Sequence, residues 1–394
     1  MSLDAPARPE TAEDFVALRR YLHSRPELAY EEHETSALVA DYLRGWGYGV
    51  ETGIGGTGVV GTLTVGSGGR SIGIRADMDA LPIEEATGLD YASRNPGRMH
   101  ACGHDGHTTI LLDAAHELAR TRNFSGTARL IFQPAEEIGG GARKMIRDGL
   151  FERLPVDAVF GLHNWPGVPT GRFAFLEGPA MASVDMAIIR VRGRGGHGAK
   201  PHLSVDPVVI AASLVLALQT VVSRNVDPLE AAVVTVGSIH GGSLPNVIPD
   251  SVELQLTVRA FDEGVRQAIR ARITGLVETH VAAFGATAEL HYPTGYPVLV
   301  NEPGQTGFAR QVARRHFGAD RIEPGLRPIT ASEDFAFMLE ERPGSYLFLG
   351  NGDSADLHSP RYDFNDAVIP DAARYWVRLV EDFLSANASA QAPS

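Results

Sequence analysis

Between residues 71 and 162 the chain alternates short apolar runs with amphipathic ones. Residues 71–76, 127–132 and 158–162 read as strands, while 108–120 and 141–148 carry the three-to-four spacing of helices. Upstream, 11–47 reads as two helices, the first opened by the capping-box pair Thr11 and Asp14, the two separated at Arg25-Pro26-Glu27. Strands alternating with helices predict an α/β fold built on a mostly parallel sheet.

After Pro179 the order changes. A strand at 186–193 precedes a long apolar helix at 207–223, then come strands at 231–240 and 251–259, a helix at 262–284 and a strand at 287–292. This β-α-β-β-α-β order is that of a ferredoxin-like α+β unit. We read it as an inserted domain, roughly 184–293. The first pattern resumes with a helix at 304–316 and a strand at 346–350, so the other domain is expected to be discontinuous, 1–183 and 294–394. The tail after Ala386, rich in Ser, Ala, Gln and Pro, reads as disordered.

Composition changes this picture only by exclusion. A chain of 394 residues, 44% hydrophobic and 21% charged, is a globular protein of two domains. Its longest apolar stretch, 208–218, falls short of the roughly 18 residues that span a bilayer, so no membrane partner is expected. The N-terminal segment lacks a basic region followed by an apolar one, which together with the rest predicts a cytoplasmic protein. One cysteine excludes an intrachain disulfide, and a lone Cys between histidines suits a ligand or a nucleophile. A net charge of -13 without clustered Lys and Arg argues against nucleic acid and leaves small molecules as partners.

Five residues able to bind metal, Cys102, His104, Glu137, His163 and His358, each follow a strand-like or apolar run. An open parallel sheet gathers the carboxyl ends of its strands on one edge, where ligands bind. Met99 to His107 places three imidazoles and a thiol just before a helix, and Gly103 lets Cys102 and His104 approach one centre. Thiolate and imidazole suit zinc and other divalent first-row ions. Pro134 ends the next strand, leaving Glu136 and Glu137 beyond it, where one can bind metal and the other can take a proton from water. His163 ends a further apolar strand, with Asn164-Trp165-Pro166 turning the chain. Asp77 and Asp79, after the strand at 71–76, can orient a ligand or close an Asx turn. Singly, each feature also fits a loop His or a solvated charge pair. Their coincidence at successive strand ends points to a metallohydrolase.

Several motifs carry a resemblance that spans nearly the whole chain, from His23-Ser24-Arg25-Pro26-Glu27-Leu28 to Leu357-His358-Ser359-Pro360. They include Arg75 to Pro82, Met99 to His107, Phe132 to Glu137, Gly161-Leu162-His163-Asn164 and Ser332-Glu333-Asp334-Phe335. The chain resembles the amidohydrolase branch of the aminoacylase-like metallopeptidase family, which holds hippurate hydrolases, N-acyl-L-amino-acid amidohydrolases and auxin-conjugate hydrolases. That resemblance implies two divalent metal ions, with Cys102 shared and His104, Glu137, His163 and His358 completing the shells. It makes Glu136 the general acid/base and gives Asp79 the role of orienting a metal-bound His or water. The inserted domain becomes a lid through which homodimers form. His197, in Gly195-Gly196-His197-Gly198, would reach a partner's active site and steady the oxyanion, although many relatives have Ala where Gly198 stands. Asn246 falls on a lid position near the substrate, and Arg259 can fork onto a substrate carboxylate.

The implied reaction is hydrolysis of an N-acyl-L-amino acid to a carboxylic acid and a free amino acid. Zinc, nickel or cobalt suit the donor set, and relatives are often assayed with manganese. Three rival readings are a thiol hydrolase with Cys102 activated by His104, an exopeptidase of the same family, and a binding protein without catalysis. A Cys-His pair has no use for the surplus ligands. In the peptidase branch a His stands at Asp77 and an Asp at Cys102. A mere binder needs no Glu136 beside Glu137.

Overall fold

A computed structural model of the chain describes residues 6–385; the tail after Ala386 lies outside them. The chain divides into two compact units, one formed by Met1–Gly178, Val300–Arg327 and Asp334–Ser394, the other by Pro179–Leu299 and Pro328–Glu333.

The first unit opens with α1 (Ala12–His23), where Thr11 Oγ1 accepts the Asp14 amide and Asp14 returns the bond to the Thr11 amide. This is the capping box read from sequence. After α2 (His33–Gly45) come β1 (Gly49–Ile54), β2 (Gly58–Val65), β3 (Ser71–Asp77), α3 (His104–Thr121), β4 (Gly126–Gln133), β5 (Ala158–Pro166) and β6 (Phe173–Phe175). The last strand, β7 (Gly344–Gly352), and the last helix, α4 (Ile369–Ser385), follow the second unit. The sheet order is β1-β2-β4-β3-β5-β7-β6.

Its four central strands, β4, β3, β5 and β7, are parallel, whereas both edges are antiparallel. The sheet is therefore mixed, parallel only at its centre. The β1–β2 hairpin was not read from the sequence, where glycines break its apolar pattern into short pieces. Val59, Val60 and Leu63 still bury there. Helix α3 packs between the sheet and α1 and α4, with Ile110, Leu111, Ala114 and Leu118 in the core.

Two boundaries differ from the sequence reading in ways that bear on the site. Helix α3 starts at His104, four residues before the expected 108, because Gly103 turns into it at φ 92° and the polar first turn is buried against partners. Strand β5 runs on to Pro166, held by parallel pairing that sets Phe348 opposite His163. His163 thus lies within a strand, and Asn164-Trp165-Pro166 does not turn the chain.

The second unit is a four-stranded antiparallel sheet in the order Ala232–His240, Ser251–Ala260, Ser183–Arg192, Thr287–His291. Helices Pro207–Leu218 and Glu263–Ala282 pack on it around Ile189, Val191, Leu214, Leu254 and Ile273. The connectivity and strand order are ferredoxin-like. The helix expected at 207–223 is two helices that meet at Gln219, where the Thr220 hydroxyl donates to the Ala217 carbonyl. Arg266 grips Asp185 with two bonds, 2.6 and 2.9 Å, inside this unit.

Candidate metal centre

The carboxyl ends of the parallel strands supply most of the site. Beyond β3 stands Asp79; beyond β4, the turn with Glu136 and Glu137; in β5, His163; at the start of α3, His104 with Cys102 just before it; beyond β7, His358. The His358 amide donates to the Ala101 carbonyl at 2.8 Å, which ties the last of these loops to the one that carries Cys102.

The His163 and His104 imidazoles are each oriented by one nitrogen and leave the other facing inward. His163 Nδ1 donates to the Asn164 carbonyl at 2.6 Å, so Nε2 faces the Cys102 sulfur at 3.3 Å. His104 Nδ1 donates to the Asp79 carbonyl at 2.9 Å, and its Nε2 points between Asp77 Oδ2 at 3.8 Å and Glu137 Oε1 at 3.9 Å. The second Glu137 oxygen lies 3.4 Å from His358 Nε2. Cys102, His104 and His163 bring their donor atoms within 4.8 Å of one another, and Cys102, Glu137 and His358 do the same. The two groups meet at the Cys102 thiol.

These residues fit a bound cation. His104 Nε2 and Glu137 Oε1 are buried and lack a hydrogen-bond partner, and buried polar atoms are nearly always satisfied. Burial, reinforced by the Glu137, Glu136 and Asp77 carboxylates, pushes the Cys102 thiol well up, so an ionised sulfur there needs a positive ion beside it. Burial holds the His163 imidazole well below its ordinary value, hence neutral and ready to donate a lone pair. For His104 burial acts downward too, but the charge of Asp77 and the Asp79 carboxylate, 3.3 Å from Nδ1, outweigh it and raise the ring to about 10. A cation at His104 must displace that proton.

Around the donors lies a buried set of anchors. The Asp79 carboxylate accepts the Glu136 and Glu137 amides, each at 3.0 Å, and so fixes where both side chains begin. Asp77 bonds His107 Nδ1 at 2.6 Å and Arg75 at 2.5 Å. Although burial acts to raise Asp77, the charges of Arg75, His104 and His107 hold it well below the usual carboxylate range. Arg75 also reaches Gln133 and Asp334, and Asp334 in turn accepts the Ala142 amide.

In the second unit His197 is exposed, on a two-residue strand paired with Val247–Ile248. The neighbouring Gly198 amide donates to the Asn246 carbonyl at 2.8 Å, so His197 and Asn246 occupy adjoining loops. Arg259 is half-buried near the end of Ser251–Ala260 and donates to Ser332 Oγ at 3.1 Å.

A model of peptidase family M20/M25/M40 matches residues 73–382. The chain belongs to that family. Its M20 relatives include the hippurate hydrolase of Campylobacter jejuni, 44% identical over 371 residues, which are 94% of this chain and 97% of that protein. The N-acetyl-L-cysteine deacetylase of Bacillus subtilis is 43% identical over 373 residues, 94% of this chain and 88% of its own. Among solved structures, a Bacillus subtilis dinuclear metal binding peptidase of the M20 family superposes with a TM-score of 0.82 at 34% identity, covering 95% of this chain and 98% of that one.

Within this M20 chain the anchors Arg75, His107, Gln133 and Asp334 were not singled out as site residues from the sequence. His107 carried a signal, as the third imidazole of the 99–107 cluster and three residues after His104 in one helix. Gln133 and Asp334 lie in the motifs Phe132 to Glu137 and Ser332 to Phe335, but neither was given a role there, because their part is to hold other side chains. The thiol hydrolase reading also changes: the ring against the Cys102 sulfur is His163, not His104, and the thiol is pushed away from ionisation.

Proposed function

We propose that the chain is a metal-dependent amidohydrolase that cleaves N-acyl-L-amino acids to a carboxylic acid and a free amino acid. The observation that carries this reading is the pair of unpartnered buried atoms, His104 Nε2 and Glu137 Oε1, 3.9 Å apart beside the Cys102 thiol. Hippurate and N-acetylcysteine, the substrates in the names of the two relatives, are both N-acyl amino acids.

Cys102, His104, Glu137, His163 and His358 would hold two divalent ions with Cys102 shared, which the two donor groups meeting at that thiol support. Zinc, manganese, nickel or cobalt can serve. Such ions supply Lewis acidity, polarising the scissile carbonyl and making water more acidic. Glu136 takes the proton of the attacking water and delivers it to the departing amino-acid nitrogen. Asp79 keeps that carboxylate in place through the Glu136 amide. His197 reaches the active site of a partner subunit and steadies the oxyanion there, Asn246 contacts the substrate, and Arg259 receives the substrate carboxylate as a guanidinium fork.

The second unit, Pro179–Leu299 with Pro328–Glu333, acts in this reading as a lid and as the surface of a homodimer. Two features support that role. Ala232–His240 is an edge strand, with one sheet neighbour among the described residues, and the helix Pro207–Leu218 exposes Val208, Val209 and Leu216. No described helix is long and apolar enough to cross a membrane. We place the enzyme in the cytoplasm on its single, unpaired cysteine.

The test is a hydrolysis panel of N-acetyl, N-benzoyl and longer N-acyl amino acids, with dipeptides alongside, using stripped protein reconstituted ion by ion. Turnover of N-acyl amino acids with at least one ion is expected. Preference for dipeptides would favour the exopeptidase reading, and silence across the panel would overturn the proposal.

A further inference from the structure

The turn that carries Glu136 is held from a side of the protein remote in sequence. Ala135, fully buried, has a backbone φ of 54°, the left-handed region that residues with a Cβ seldom adopt. Its amide donates to Glu32 Oε1 at 2.8 Å, and the other Glu32 oxygen accepts the Thr57 hydroxyl at 2.5 Å. Glu32 is itself fully buried, at the residue preceding α2. Nearby Tyr30 donates its hydroxyl to the Gly139 carbonyl at 2.7 Å, and the Gly141 amide closes the turn onto the Ala135 carbonyl at 3.0 Å.

Three successive amides, at 135, 136 and 137, therefore end on carboxylates: the first on Glu32, the next two on Asp79. Glu32 and Asp79 come from different parts of the chain, so each fixes the turn independently. Without Glu32 the Ala135 N–H would be a buried donor with no acceptor, and the left-handed backbone would lose the bond that favours it. Rotation of that backbone would swing the Glu136 side chain, because the two residues share a peptide bond.

We propose that Glu32 is a positioning residue for Glu136, holding Ala135 in its left-handed conformation and thereby setting where the Glu136 carboxylate stands. The inference rests on Glu136 as the proton carrier. Glu32 is none of the proposed metal donors, and its carboxylate bonds the Ala135 amide and the Thr57 hydroxyl.

The test compares Glu32→Ala, Glu32→Gln, Ala135→Gly and the double variant Glu32→Ala/Ala135→Gly in kinetics, metal content and amide exchange. Glu32→Ala should lower kcat ~10–100-fold, the scale on which a misplaced catalytic group costs rate, with KM and metal content little changed. Exchange at amides 135–137 should quicken about tenfold or more as their protection is lost. Glu32→Gln keeps an oxygen for the Ala135 amide and should recover most of the turnover. Glycine adopts a positive φ freely, so the loss on Glu32→Ala should shrink to about threefold or less in the Ala135→Gly background.

Unchanged kcat in Glu32→Ala would overturn the proposal. So would a loss undiminished by Ala135→Gly, or one that follows lost metal. Glu136→Ala, run beside these, separates the two readings. If it turns over normally, the proton-carrier reading fails and this assignment with it. If it is inactive while Glu32→Ala is not slowed, this assignment alone fails.

Discussion

Asp79 Oδ1 accepts the Glu136 amide at 3.0 Å, while the partner oxygen takes the Glu137 amide at the same distance. One buried side chain at the end of β3 thus dictates the starting points of the proposed proton carrier and the proposed metal ligand. His104 Nδ1 lies 3.3 Å from the same carboxylate. Asp79→Asn exchanges one acceptor oxygen for an NH2 group that must face a backbone N–H. The expected result is a fall of about 10–100-fold in kcat/KM, the usual cost of losing a group that orients ligands. Kinetics at matched metal content check this, and an unaltered kcat/KM would show that the two amides need no carboxylate.

Gly103 sits between Cys102 and His104 at φ 92°, and a Cβ there would lie 2.4 Å from Asn164 Oδ1 and 2.8 Å from the Tyr362 hydroxyl. Gly103→Ala is therefore both strained and crowded, and one or both donors must shift. We expect metal content to fall below half of the unmutated value and stability to drop by about 1–3 kcal/mol. Elemental analysis and thermal melting measure the two effects separately. Full metal content in a folded Gly103→Ala protein would refute the expectation.

Cys102→Ser replaces the thiol shared by the two donor groups with a hydroxyl that ionises far less readily. Metal affinity should weaken by at least ~10-fold, and the melting temperature of the metal-loaded protein should approach that of chelator-treated protein. Calorimetry with and without chelator tests this. Equal melting temperatures for loaded and stripped unmutated protein would mean that no ion contributes to the folded state.

His23 predicts how stability varies with pH. It is buried, 2.8 Å from Asp105 Oδ2 and 3.3 Å from Glu85 Oε1. Burial pushes the ring down, but the bonds to Asp105 and Glu85 outweigh it and raise it to about 9 from 6.5. A folded value above the unfolded one means that the contribution is complete below about pH 6.5 and is lost as pH rises through about 9. At about 1.4 kcal/mol per unit the change is on the order of 3 kcal/mol. Denaturant unfolding from pH 6 to 10 should show this decline, and His23→Gln should flatten it.

The legible parts of this molecule were those whose burial follows a period. The strands β3, β4, β5 and β7 are apolar enough to be read directly, and they led to Glu136, Glu137, His163 and His358. The start of α3 was misplaced because His104, Asp105 and His107 are polar yet buried. Local pattern treats them as loop, whereas Asp77, Asp79, His23 and Asn164 make them interior. The β1–β2 hairpin was passed over because glycines interrupt its branched side chains at short intervals. Glu32 was invisible for another reason: its carboxylate serves a backbone amide 103 positions away and the Thr57 hydroxyl, neither of which a local pattern reveals.

The chain contains a single sulfhydryl, and that sulfur lies where the two donor groups meet. Sulfur-to-metal charge-transfer absorption in cobalt- or nickel-substituted protein would therefore have one atomic origin. The same colour would report on occupancy during titration, free of any contribution from another thiol.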